Sequence, residues 1–168
     1  VEIGRSYAVE SPFGRSIRLA DGDRIPVEQR RMNEHEESFI TAFIATEKQD
    51  RYRFLLGRND PKRRTECLDR LNHCRDLNEK FVTWLPRNPR SMTRNAEIAV
   101  MLREKGSPDL VYVLACSGPA DGQTIPLLEA MDQTTAVGWG TIISCVPGRL
   151  AYYFDEEGER RAILERKS

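Results

Sequence analysis

The sequence predicts an α+β fold, in which an N-terminal β-hairpin and a three-helix cluster pack with a C-terminal, mostly antiparallel four-stranded sheet carrying two helices. Three observations point to it. Between about residues 28 and 78, apolar residues recur at helical spacing behind capping signals. From about residue 95 to 168, short apolar runs alternate with turn residues. The two patterns occupy separate halves of a chain whose 168 residues suit one domain, 1–168, able to bury its own core.

In chain order, "SIRLADGDRIPV" alternates Ile17 and Leu19, turns at Asp21-Gly22 and resumes at Ile25 and Val27, which reads as a hairpin with Pro26 on an edge. Asn33 followed by Glu36 forms a capping box ahead of Phe39, Ile40, Phe43 and Ile44, so a helix runs to about Ala45. Thr46 with Gln49 repeats that signal, Phe54, Leu55 and Leu56 supply the apolar face, and Gly57 stops the helix. Asp60-Pro61 opens a third helix that turns Cys67, Leu68, Leu71 and Cys74 inward. "FVTWLPRNPRSMTR" is a short extended piece and a loop, and Asn95 caps a fourth helix through Ile98, Met101 and Leu102 that ends at Gly106. Then follow the strand "LVYVLACS", a turn, a short helix from Pro126 to Thr134, and the strands "WGTIISCV", "RLAYYF" and "RRAILE". The connection from the first of these strands to Trp139 is long enough for parallel pairing with a later one.

Composition narrows the class. The chain is 39% hydrophobic and 31% charged, a soluble globular balance, with no apolar run near the roughly 18 residues that span a bilayer. No membrane partner is expected. Net charge is zero but unevenly spread: from Arg51 to Arg94 twelve cations face five anions, leaving that segment at +7 and the rest at −7. Cys67 and Cys74 lie about 10 Å apart along one helix, too far to bond each other, while Cys116 and Cys145 sit on strands that can be neighbours. No disulfide framework is present, which suits reduced thiols in the cytoplasm.

No cofactor motif and no metal site emerge. His73 is rotated about 240° from Cys67 on the helix, so these side chains do not converge on an ion. "GWGT" lacks the spacing and lysine of a phosphate loop, and "DEEGE" lacks calcium-ligand spacing. Cys116, Ser117 and Asp121, at the strand exit "LACSGPADG", are the catalytic candidates. They lack a reachable base, since His35 and His73 lie on helices of the other half, and "ACSGP" lacks the glycine of a nucleophile elbow. Strand alternation sets Cys116 on the same face as Tyr112 and Leu114, facing inward.

The sequence departs from helix rules at "DPKRR". Lys62, Arg63 and Arg64 fill a first helical turn, where the positive end of the dipole disfavours each by roughly 0.3 to 1 kcal/mol. With Arg58, Arg87, Arg90 and Arg94 they form a candidate phosphate or nucleic-acid contact. The leading expectation is therefore a non-enzymatic cytoplasmic binding protein that engages a phosphate-bearing or acidic partner, a nucleic acid or an acidic protein. The alternatives are a small enzyme with a site at residues 116–121, and an interaction module that dimerises through an edge strand near Arg160 to Glu165.

Overall fold

The computed structural model describes residues 32–57, 60–73, 76–86, 93–137, 140–155 and 160–167. The hairpin expected at Ile17 to Val27 lies outside them, as do Arg58, Arg87, Arg90 and Cys74. The described elements are α1 (Glu34–Phe43), a 3₁₀ turn (Thr46–Lys48), α2 (Gln49–Leu56), α3 (Pro61–Asn72), a second 3₁₀ turn (Glu79–Phe81) and β1 (Val82–Trp84). After them come α4 (Thr93–Glu104), β2 (Leu110–Ala115), β3 (Thr124–Pro126), α5 (Leu127–Val137), β4 (Thr141–Val146), β5 (Leu150–Phe154) and β6 (Arg161–Glu165).

The helices and sheet of the expected α+β class are present, but the sheet has six strands rather than four, in the order β1-β6-β5-β4-β2-β3. The additions are two three-residue strands, β1 and β3, too short to show a period of two. Every pairing among the described residues is antiparallel. The parallel option for β2 is thus overturned: β4 returns beside it with Tyr112 opposite Ser144 and Ala115 opposite Thr141. The expected C-terminal edge is also corrected. β6 lies between β5 and β1, with Val82 paired to Leu164 and Trp84 to Ala162, so its backbone groups face strands on both sides.

Helices cover both faces of the sheet. On one, Phe39, Ile40 and Phe43 of α1, Tyr52 and Leu55 of α2 and Cys67, Leu68 and Leu71 of α3 pack onto Tyr112, Leu114, Ile142, Tyr153 and Leu164. On the other, Ile98 and Leu102 of α4 and Leu127, Ala130 and Met131 of α5 pack onto Val111, Val113, Ile143, Tyr152 and Ile163. Strand alternation therefore feeds two apolar cores instead of one core and a wet face, which is why these strands read as continuous apolar runs. The β4–β5 turn reaches α1. Gly148 takes φ +63°, and a Cβ there would lie 3.5 Å from that of Ser38.

Several local readings change for physical reasons. The Asn33–Glu36 capping box forms as expected. Thr46, however, makes no cap; the Gln49 amide instead donates to the carbonyls of Ile44 (3.1 Å) and Thr41 (3.3 Å), closing the end of α1. Tyr52 rather than Phe54 faces the core, and Phe54 is 52% exposed beneath the Arg63 guanidinium, 4.8 Å from the ring centroid. Asn95 lies inside α4, not at its cap. It is buried, donates to Asp132 (2.9 Å) and Thr135 (3.1 Å), and accepts from Arg161 (3.0 Å).

Candidate ligand site at the end of the second strand

The loop from Cys116 to Gln123 joins β2 to β3 and is folded back by its own backbone. Val113 N–H donates to the Gln123 carbonyl (3.0 Å) and Gly122 N–H to the Val113 carbonyl (2.9 Å). The Asp121 carboxylate adds a third tie, accepting from Ala115 N–H at 3.1 Å. Gly118 and Gly122 have φ of +105° and +73°, values that side chains disfavour, so glycine at both positions lets the loop reverse within a few residues.

On the α1–α3 side, the loop is clamped by ions. Arg64 of α3 donates to Asp121 through Nε (2.7 Å) and Nη2 (2.8 Å), and through Nη1 to Glu36 of α1 (2.6 Å). Glu36 also accepts from the Tyr112 hydroxyl (2.8 Å) and, with its other oxygen, from Asn33 N–H (3.1 Å). Its side chain is 2% exposed and that of Arg64 16%. Burial works against the Arg64 charge, but the hydrogen bonds and charges of Asp121 and Glu36 outweigh it and hold the guanidinium more firmly protonated than usual. Burial, then the Glu36 carboxylate, push Tyr112 up to about 12.

On the α4–α5 side, the same loop walls a pocket of about 280 Å³. Ala115 and Thr141 form its floor at the strand ends, Ser117 to Ala120 one side, and Gln133, Thr134 and Ala136 of α5 the other. The lining is predominantly apolar and carries no charged side chain. Thr134 turns its hydroxyl to the Ala130 carbonyl (2.8 Å), and the Gln133 amide donates to Glu129 (2.9 Å).

The three catalytic candidates are thereby placed. Ser117 is exposed at the pocket rim. Cys116 is half-buried against the α1–α3 core. Both oxygens of Asp121 are engaged by Arg64. His35 does reach the sheet, which its helical position did not suggest: it stacks on Tyr112 (5.3 Å between centroids) and its Nδ1 lies 2.9 Å from Ser144 Oγ. That pair sits four residues back from Cys116 along β2, about 13 Å at the rise of a strand. His73 caps the far end of α3. Cys67, Cys116 and Cys145 form no disulfide.

Among the described residues, the basic candidates do not gather. Of the first-turn cations, Lys62 is exposed, Arg63 pairs with the capping Asp60 (3.3 Å), and Arg64 is the internal clamp. Arg94 lies in the first turn of α4, on the opposite face of the sheet from α3. The break in helix rules at "DPKRR" thus has a structural cause for two of its three cations. Glu36 and Asp121, which sequence reasoning treated as a cap residue and a candidate acid, are partners of one arginine. Only a contact spanning 57 residues reveals this. No cluster of metal-ligating side chains occurs among the described residues, and none of their helices is long and apolar enough to cross a membrane.

No protein-family model matches the chain, and neither a curated protein nor a solved structure matches it.

Proposed function

We propose that the protein is a binding domain that takes a small, mainly apolar molecule into the pocket beside α5. The observation that carries this reading is the pairing of an apolar hollow with a loop clamped from the other side of the sheet: a pre-formed wall costs no ordering when a ligand arrives. A volume of about 280 Å³ is near the lower end of ligand pockets, so the occupant is smaller than a nucleotide. A neutral lining favours a neutral one. The test uses indole as a probe, followed by backbone amide shifts. Saturable shifts confined to residues 115–120 and 133–136 are expected, and they vanish in Ala136→Trp, which fills the hollow from an exposed position. Shifts that do not saturate, or that survive Ala136→Trp, overturn the reading.

A second reading retains a phosphate-bearing or acidic partner, nucleic acid included, at the start of α3. Lys62 is exposed there, beside Arg63, whose Nε is paired with Asp60 (3.3 Å). Salt-sensitive retention on heparin that weakens in Lys62→Ala/Arg63→Ala supports it; unchanged retention removes it. Arg64 is left intact because it is structural. Among the described residues, three cysteines lie outside any disulfide, which fits a cytoplasmic setting.

A further inference from the structure

The β1 end of the sheet, where edge strand β1 pairs with β6, carries a row of aromatic rings and cations that the chain order conceals. Trp84 pairs with Ala162, and Ala162 in turn with Tyr153 of β5. Because Ala162 is small, the Trp84 indole crosses it and meets Tyr153 edge-on, 6.1 Å between centroids and 88° between planes. The Arg160 guanidinium lies over the indole at 4.1 Å from its centroid. At the other end of the strand pair, Phe81 stands edge-on to Phe43 and is flanked by Lys80 (5.6 Å) and Arg166 (5.1 Å). Arg160 and Arg166 project to the same face as the buried Ala162 and Leu164, by the alternation of a strand, and stand about 20 Å apart along it.

Among the described residues nothing covers this surface. Trp84 is 38% exposed, Lys80, Arg160 and Arg166 are exposed, and among the described residues none of the three cations forms an ion pair. The nearest carboxylates in sequence are Glu79 beside Lys80, Glu159 beside Arg160 and Glu165 beside Arg166; Glu165 is engaged by Lys105 (2.5 Å), and the Asp155 amide is tied to the Arg160 carbonyl (3.1 Å). Three of the five cation–ring contacts among the described residues fall on this one edge, where such contacts ordinarily occur about once per 70–80 residues.

We propose that the β1 end of the sheet binds a single-stranded nucleic acid. A guanidinium stacked on an indole presents its outer plane to a further flat group, and an unpaired base supplies one. Lys80 and Arg166, displaced along the strand, meet the phosphates. A duplex hides its base faces and offers only charge, and an acidic peptide offers charge without flat rings. The aromatic component therefore selects single strands over both. The site is independent of the pocket beside α5.

The test is anisotropy of a fluorescein-labelled oligothymidylate titrated with the full chain at several salt concentrations. Binding is expected with a slope of log affinity on log salt near −1.4, about −0.7 for each of the two phosphates that Lys80 and Arg166 neutralise. Arg160→Ala/Arg166→Ala lowers both affinity and slope. Trp84→Ala weakens binding roughly five-fold or more without changing the slope, and Trp84→Phe restores most of it. Thermal melts of each variant separate lost binding from lost folding. The proposal is overturned by no binding, by Trp84→Ala binding like the parent, or by equal binding of a duplex or of polyglutamate in competition.

Discussion

Arg64 and Asp121 meet through two parallel hydrogen bonds, 2.7 Å from Nε and 2.8 Å from Nη2, although α3 and the β2–β3 loop are far apart in the chain. The third side of the guanidinium holds Glu36. One side chain thus joins the first helix, the third helix and the wall of the pocket. A fork of this geometry fixes direction as well as distance, which a lysine in the same place would not do.

Removing the clamp leaves Glu36 charged and buried without its cation. Arg64→Ala should therefore destabilise the fold by about 3 to 5 kcal/mol, and adding Glu36→Gln should return part of that loss. Urea unfolding of the single and double variants measures both. A cost below about 1 kcal/mol for Arg64→Ala would mean that the triad is solvated.

His35 gives the fold a pH dependence of defined sign. Burial lowers its pKa below the ordinary 6.5, against a smaller opposing effect of Glu34. The unfolded chain then takes up a proton before the folded one does. The stabilisation is complete above about pH 6.5 and is lost as pH falls from there through the lowered folded value. The stability difference between the parent and His35→Gln should shrink as pH drops from 7.5 towards 5. A difference that grows on acidification would show that the imidazolium, not the neutral ring, is held beside Ser144.

The thiols should separate by rate. Burial pushes Cys67 up to about 12 and Cys145 up to about 11, and both are enclosed, whereas Cys116 is half-buried. Iodoacetamide in native buffer should label Cys116 ahead of Cys67 and Cys145, whose reaction awaits opening of the fold. Peptide mapping after timed quenching reads the order. Early labelling of Cys67 would contradict the packing of α3.

How far the sequence is legible depends on the range of the interaction. The capping box at Asn33 and Glu36, the helices through Phe43 and Leu71 and the strands at Val111 and Ile143 arise from patterns within a dozen residues, and these were readable. The stretch at Val82 was readable only as an extended piece, because three residues carry no period and only the pairing with Leu164 makes them a strand of the sheet. Phe54 was misplaced because Arg63 covers its ring from a different helix. The cations at "DPKRR" read as a surface because their partners, Asp121 above all, lie far along the chain.

Local residue chemistry thus determined the mixed helix and sheet content, the inward faces of the helices and the odd placement of charge at the start of α3. The tertiary structure alone decided that β6 is an inner strand, that Arg64 is an internal tie, and that Trp84, Phe81, Arg160 and Arg166 share one edge. The reason is physical. Periodicity and capping act over one or two turns of chain, whereas strand order and ion pairing are settled when separate segments exclude water from between them, and no short window of sequence contains both sides of that contact.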